Sequence, residues 1–489
     1  MPKRRPGRRT GCDSSDVQRS LVVLALVVVA GCHAVLAFVV FPGAGFASDL
    51  AAFQGWAKVV ATYGPAGFYE HDPSANYPPV SIYALWGVEA LSRLVAGVTA
   101  RPSAEVLVLL LKVPAVLADL LTAAVVWSSA RRWRGPDVAV VATFAFLLVP
   151  PVWYVSAVWG QLDSVLGLFS ILALWLAVRG RWHLAALAAV GAVMVKPQGV
   201  LVVLVVGVVL VASLARRDSS GERHLLRLTS TLVVAAAAAL ALLVPFDYEH
   251  LAPPEVATLP VVGDVVGFWR QSVETGGLFP VLTANADNVW ALVGDPSLAT
   301  SFATGTAVWH VDSTRVLGQP AWLVGIIAFG VVAAGVVAGL LVRRDLVGVL
   351  LGYTVLSYAF FVLPTRVHER YLIPVFATAA VLAAPHVLRL VAFLAAGVLQ
   401  LVNLHAVLAA PLDVLVVRTS VPRPVPRVRP AMDPPPADRP HDVVLPWAGG
   451  ARAEWVVQLV SVGQLAVLLG LLVTWVLVVR RSPQPSAPA

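Results

Sequence analysis

Tyr77-Pro78-Pro79-Val80-Ser81-Ile82-Tyr83-Ala84-Leu85-Trp86-Gly87-Val88-Glu89-Ala90-Leu91-Ser92-Arg93-Leu94-Val95 is the stretch on which the topology of this chain turns. It is apolar enough to suggest a membrane span, yet Pro78 and Pro79 open it, and Glu89 and Arg93 interrupt it at helical i,i+4 spacing. If Val80 to Val95 crosses the membrane, the next basic cluster, Arg131, Arg132 and Arg134, faces outward. If it lies in the interface or re-enters, that cluster faces inward, as the positive-inside rule prefers. The interfacial reading is therefore adopted.

The rest of the chain sets the class. It has 489 residues, 58% hydrophobic and 13% charged, with a mean hydropathy of +0.82. These values are far from those of a soluble globular protein and describe an all-α, polytopic membrane helical bundle. A net charge of +8 raises the possibility of nucleic acid, but the basic residues fall in short clusters between apolar runs, so they report topology. Cys12 sits in the basic tail and Cys32 inside the first apolar run, at different depths, which argues against a disulfide. No Cys and His cluster suggests a metal, and no cofactor is implied.

Apolar runs begin near Ser20, Ala104, Asp137, Asp163, His183, Gly199, Leu228, Ala321, Val347, Tyr371, Leu388 and Trp455, which predicts about twelve transmembrane helices. Basic clusters at the N-terminus (Lys3, Arg4, Arg5, Arg8, Arg9), Arg131 to Arg134, Arg179/Arg181, Arg216 to Arg227, Arg343/Arg344, Arg389 and Arg480/Arg481 alternate with loops poor in Lys and Arg. Both termini are thus expected in the cytoplasm. The organisation follows: residues 1–19 a cytoplasmic basic tail before a retained first helix; 20–410 a transmembrane module with outer loops 43–102 and 247–320; 411–454 a Pro/Arg-rich outer loop; and 455–489 a last transmembrane helix with a cytoplasmic tail. The preference for Arg over Lys and the Ala/Val richness suit a GC-rich bacterial genome, hence a plasma membrane.

On this topology three polar signatures meet at the outer side: Trp159-Gly160-Gln161-Leu162-Asp163, Lys196-Pro197-Gln198 and Arg366-Val367-His368-Glu369-Arg370-Tyr371. Charged and amide groups at the ends of apolar runs are costly unless they face a cavity or a polar ligand. Asp49, after the Gly-rich end of the first helix, is placed as a general base that takes a proton from a hydroxyl nucleophile. Capping of the following helix is the alternative for Asp49, as it is for Asp163. Lysine is scarce: of 35 Lys and Arg residues only Lys3, Lys58, Lys112 and Lys196 are lysines. Lys58, Lys112 and Lys196 are therefore candidates for binding an anion, with an ion pair between Lys112 and Asp119 as the other reading. His368, Glu369 and Arg370 suit a phosphate. In the second loop, Thr283-Ala284-Asn285-Ala286-Asp287-Asn288-Val289-Trp290 offers groups suited to sugar hydroxyls, with Asn285 and Trp290 foremost, although an ordinary capped loop would use the same residues.

An outward-facing transferase has no access to cytoplasmic nucleotide sugars, whereas a polyprenyl-phosphate sugar presents its activated phosphate at the membrane surface. At this point the chain resembles the integral-membrane GT-C glycosyltransferases that use lipid-phosphate sugars, including dolichyl-phosphate-glucose glucosyltransferases and bacterial polyprenyl-phosphate-mannose mannosyltransferases. The resemblance spans Phe46 to about Pro374 and rests on an ordered set: Ser48-Asp49, Tyr77-Pro78-Pro79, Lys112 and Asp119, Trp159 to Asp163, Lys196-Pro197-Gln198 and His368-Glu369-Arg370-Tyr371. It implies a GT-C-like bundle whose long first outer loop carries interfacial helices, with Asp49 as catalytic base. It also implies a His368 to Arg370 turn near the lipid phosphate, and inversion at the anomeric carbon. The Trp159 motif departs from the His-Phe-Gln wording of the glucosyltransferase branch, so mannose leads as donor sugar, with glucose or a pentose open.

The expected site thus has Asp49 as base; Lys196, His368 and Arg370 on the donor phosphate; and Lys58, Tyr77, Lys112, Trp159, Gln161, Asp163, Gln198, Asn285, Trp290 and Glu369 on the substrates. The expected partners are a polyprenyl-phosphate sugar, a glycan, lipid or protein acceptor of the envelope, and membrane lipids, with no nucleic acid. A polytopic transporter or lipid-linked-sugar flippase competes as the alternative class, and a noncatalytic envelope scaffold is a third. The topology itself is testable by labelling single cysteines in whole cells after Cys12 and Cys32 are replaced. Positions in 43–102, 247–320 and 411–454 should label from outside and positions 131–134 and 216–227 should not. Outside labelling at position 132 would overturn the interfacial assignment.

Overall fold

The computed structural model describes residues 14–214, 221–277, 280–293, 311–408 and 453–481. The basic tail before Ser14 with Cys12, Arg216 and Arg217, and residues 411–452 of the Pro/Arg-rich segment lie outside the described residues.

Helix α1 (Ser14–Val35) continues through a π-helical turn, Leu36–Val40. The first loop then carries α2 (Ala47–Tyr63), α3 (Phe68–His71) and α4 (Pro79–Thr99). Next, α5 (Ser103–Leu110) and α6 (Val113–Arg134) make one apolar span of 32 residues. It is interrupted at Leu111-Lys112, where Pro114 has no N–H to return to Leu110. Helix α7 (Pro136–Leu148) meets α8 (Pro150–Trp153) and its π-helical extension Tyr154–Trp159 at a 49° bend, set by Pro150 and Pro151. The bundle continues with α9 (Asp163–Val178), α10 (Trp182–Val195), α11 (Val200–Leu214) and α12 (Gly221–Leu243). A second loop holds α13 (Pro254–Ala257), α14 (Val262–Gly277) and a two-residue antiparallel hairpin, β1 (Arg315–Val316) and β2 (Gln319–Pro320). It is followed by α15 (Ala321–Val342), α16 (Leu346–Val362), α17 (Val375–Ala383), α18 (Val387–Leu408) and α19 (Glu454–Arg480).

All twelve apolar runs read from the sequence are helical. Among the described residues six helices are long and apolar enough to cross a membrane alone, or seven if the bent pair is one span. Helices α9, α10, α11 and α16 are apolar but shorter, so the count of twelve describes apolar runs rather than full-length spans. Two of the short helices, α9 and α16, are inner ones, with no exposed residue. Helix α9 packs against α6, α10, α11, α16 and α17, and its buried residues include Leu166, Gly167, Ser170, Ile171, Ala173 and Leu174. A helix enclosed by others has no need to match the lipid thickness on its own.

Helix α4 is not among the six. It buries Ser81, Ile82, Leu85, Val88, Glu89 and Ser92 against α2, α5 and α10. Its other face exposes Trp86, Leu91, Leu94 and Val98. Glu89, 8 % exposed, is neutralised by Arg93 at 2.9 Å. The two loops pack together through Tyr69 and Tyr248, whose rings lie 4.5 Å apart, with Phe246 against Tyr69. The Gln271 amide also donates to the Ala75 carbonyl at 2.8 Å.

Candidate active site

Four chain breaks bring the polar signatures to one place. The first is the start of α2, where Asp49 lies in the first turn. Its carboxylate does not cap the helix. Oδ2 instead accepts from Trp159 Nε1 at 2.9 Å and Gln161 Nε2 at 2.5 Å. The second break is the π-helical end at Trp159, stopped by Gly160 at φ +81°, a conformation that a side chain disfavours. A Cβ on Gly160 would also stand 3.4 Å from the Lys112 side chain. Tyr77 donates its hydroxyl to Gln161 Oε1 at 3.0 Å, which fixes the amide with its N–H toward Asp49.

The third break is Lys196, in extended conformation between α10 and the turn Pro197–Gly199. Gly199 is held tightly there, since a Cβ would meet the Ala192 carbonyl carbon at 2.3 Å. Lys196 Nζ donates to Asp163 Oδ2 at 2.8 Å and lies 5.0 Å from the centre of the Tyr77 ring. The fourth is the 366–371 turn. Arg370 Nη1 lies 2.7 Å from Glu369 Oε1 and 4.0 Å from Asp49 Oδ2, and Arg370 Nε lies 3.8 Å from Asp163 Oδ2. Its guanidinium carbon is 5.8 Å from the Trp159 ring centre. Asp49, Tyr77, Trp159, Gln161, Asp163, Lys196, His368, Glu369 and Arg370 therefore form one cluster. Arg366 does not join it: its guanidinium pairs with Asp312 at 2.5 Å.

The remaining candidates are placed elsewhere. Lys58 is exposed on α2, without a site partner. Trp290 is buried and donates to the Leu363 carbonyl at 2.6 Å, so its indole serves packing. Lys112 is fully buried, and it pairs with neither Asp119 nor any other carboxylate. It donates to the Phe41 carbonyl and, at 2.8 Å, to the Ala157 carbonyl, which ties α1 to the π-helical end that delivers Trp159. Asp119 faces His33 instead, at 3.6 Å. Asn285 is in left-handed conformation, φ +72°, and pairs its backbone with His368. Gln198 is half-buried, and its Oε1 has no hydrogen-bond partner.

Sequence reading missed Gln400, Asn403 and Gln464, and took Asp287 only as part of the Thr283 to Trp290 stretch. Gln464 donates to Gln400 Oε1 at 3.2 Å, and Gln400 donates to the Glu369 carbonyl. An amide inside each of two apolar helices was the available signal. Among the described residues, no group of three or more His, Cys, Asp or Glu is placed to hold a metal ion.

The electrostatics sort the roles. Burial, helped by the nearby Arg370 and Lys196 charges, drives the His368 pKa well below its ordinary value, so the imidazole is neutral and can only donate or accept a hydrogen bond. Burial raises the Glu369 pKa despite Arg370 beside it. Two cations, Lys196 and Arg370, and three carboxylates, Asp49, Asp163 and Glu369, thus stand with a neutral imidazole in one cluster, which sets N–H donors beside hydrogen-bond acceptors.

No protein-family model and no curated protein sequence matches the chain. Among solved structures it is similar to ArnT from Cupriavidus metallidurans bound to undecaprenyl phosphate, at 16% identity and a TM-score of 0.43, covering 96% of this chain and 73% of that one. It is also similar to the oligosaccharyltransferase AglB from Archaeoglobus fulgidus in complex with an inhibitory peptide and a dolichol-phosphate, at 14% identity and a TM-score of 0.40, covering 83% of this chain and 53% of that one. For an oligosaccharyltransferase of that organism in the apo form the values are 15%, 0.41, 79% and 51%. The chain spans about half the length of the archaeal proteins it matches.

The lowered His368 pKa makes a prediction about stability. Between the folded value and the ordinary value of 6.5, the unfolded chain binds a proton that the folded chain refuses, so stability falls as pH drops through this window. Relative to His368→Gln, wild type should lose thermal stability in detergent as pH is lowered below about 6.5. A wild-type to variant difference that stays constant between about pH 7.5 and 5.5 would show that the imidazole charges freely in the fold.

Proposed function

We propose that the chain is a membrane glycosyltransferase that moves a hexose, mannose first among the options, from a polyprenyl-phosphate sugar to a hydroxyl of an envelope acceptor on the outer face of the plasma membrane, with inversion. One observation carries the reading. The Asp49 carboxylate, held by Trp159 and Gln161, stands 4.0 Å from the Arg370 guanidinium, and Lys196 shares Asp163 with that same guanidinium. A base and a cationic face are thereby set next to each other.

The chemistry follows from these positions. Asp49 takes the proton of the acceptor hydroxyl, and the oxygen attacks the anomeric carbon from the side opposite the phosphate. The bond from that carbon to the phosphate oxygen breaks, and its electron pair leaves with the lipid phosphate. Lys196 and Arg370 carry more N–H donors between them than their carboxylate bonds consume, so both can meet the developing charge while still held by Asp163 and Glu369. Neutral His368 adds at most a single N–H donor.

Asp49→Asn is the direct test. The amide oxygen can still accept from Trp159 and Gln161, so folding and donor binding should persist, while transfer from a radiolabelled polyprenyl-phosphate sugar should fall by about 10²–10⁴-fold. A folded variant that transfers at the wild-type rate would eliminate the mechanism, and one that still moves lipid across vesicles would favour a transporter. Lys196→Ala should weaken donor binding and also destabilise the fold by about 3–5 kcal/mol, because Asp163 would be left buried without its ammonium. Lipid-phosphate binding and thermal unfolding in detergent measure the two effects separately.

A further inference from the structure

The segment before Trp290 is built against the 366–370 turn. The Ala284 N–H donates to the Val367 carbonyl at 3.0 Å, and Ala284 and Asn285 both bridge to His368. Asn403 of α18 then fixes the next residues from behind: its Oδ1 accepts from the Asp287 N–H at 3.1 Å, and its Nδ2 donates to the Asn285 carbonyl at 2.8 Å. Asn288 is used within the protein as well, accepting from the Trp290 N–H and donating to the Phe361 carbonyl. Asp287 is different. Its carboxyl is buried, 7 % exposed, and Oδ2 has no hydrogen-bond partner. Within electrostatic reach lies Glu369, 1 % exposed. Arg370 takes its Oε1, while Oε2 has no hydrogen-bond partner either.

Buried carboxyl oxygens without donors are rare because each forfeits its hydration. Two of them, on segments bridged through Ala284, Asn285 and His368, call for donors supplied from outside the chain. We propose that Asp287 and Glu369 form the subsite for the hydroxyl groups of the transferred sugar, so that the ligand on this side of Arg370 is a neutral polyhydroxylated ring. This rests on the lipid-phosphate sugar reading above and names the part of the donor that Asp287 meets. Burial, with Glu369 close by, raises the Asp287 pKa well above its ordinary value, and burial raises that of Glu369. Both shifts favour a proton on the pair, which suits it to donate as well as accept. Hydroxyl groups, which do both, match that inventory; a second phosphate meets carboxyls that repel it, and a cation meets a pair on which burial disfavours full charge.

The test compares binding of purified protein to an unsubstituted short polyprenyl phosphate, the same lipid carrying mannose or glucose, and a series of monodeoxy versions of those sugars. For wild type, the sugar should improve binding, and removing one hydroxyl should undo about 10–100-fold of it, the worth of a hydrogen bond to a charged group. Asp287→Asn should bind the unsubstituted lipid as wild type does, yet lose that hydroxyl's contribution, so that deoxy and parent sugars bind alike. Wild type that discriminates against no deoxy sugar overturns the subsite even if no variant folds. A folded Asp287→Asn that keeps the full deoxy penalty also overturns it. Wild type that binds no polyprenyl phosphate in any form overturns the donor reading itself.

Discussion

A guanidinium inside an apolar bundle has to be neutralised, and the arrangement of this protein's polar end follows from how Arg370 meets that requirement. Glu369 is its nearest carboxylate, with Asp163 and Asp49 at the edge of ion-pair distance. These groups come from the 366–371 turn and from the first turns of α9 and α2. Lys196, at the end of α10, enters through the shared Asp163. Removing one partner of the close buried pairs, Arg370 with Glu369 or Lys196 with Asp163, leaves an uncompensated buried charge, which is far costlier than never having placed the pair. The network thus locks four chain segments in register. It also leaves Asp49, 21 % exposed at its side chain, as the most accessible carboxylate of the three.

The same neutralisation constrains any anion that enters. Lys196 and Arg370 are not a bare cationic patch but cations already held by carboxylates, so a phosphate shares them and does not capture them. Such a site favours a charge that develops during reaction over one that sits permanently, because pre-organised N–H donors respond to new charge without reorganising.

Much of this was legible in the sequence because a membrane makes polarity expensive. The apolar runs announced the helices, and Trp159 to Asp163, Lys196 and His368 to Arg370 stood out at their ends. What stayed hidden was tertiary. Lys112 stood among the substrate-binding candidates, with an ion pair to Asp119 as the other reading, but the break before Pro114 and the approach of α1 give it two backbone carbonyls instead. Trp290 looked like a sugar platform, yet Leu363 takes its N–H. Asp287, two positions from a residue that was singled out, is placed by Asn403 on a distant helix and by the bridges of Ala284 and Asn285 to His368. Helix lengths were equally illegible, since whether an apolar run faces lipid or other helices depends on packing that no local pattern encodes.

One feature of that packing reaches into biosynthesis. The Tyr358 hydroxyl donates to Gln464, Gln464 donates to Gln400, and Gln400 donates to the Glu369 carbonyl. This amide relay runs from α16 through α19 and α18 to the turn that carries Arg370. Helix α19 begins at Glu454, well after α18 ends at Leu408. As the chain is made from its N-terminus, the charged turn and all its ionic partners are inserted before the helix that completes the relay behind them. A nascent chain paused between α18 and α19 therefore holds its ion-pair network without its backing, and α19 acts as the latch that closes behind the charged turn.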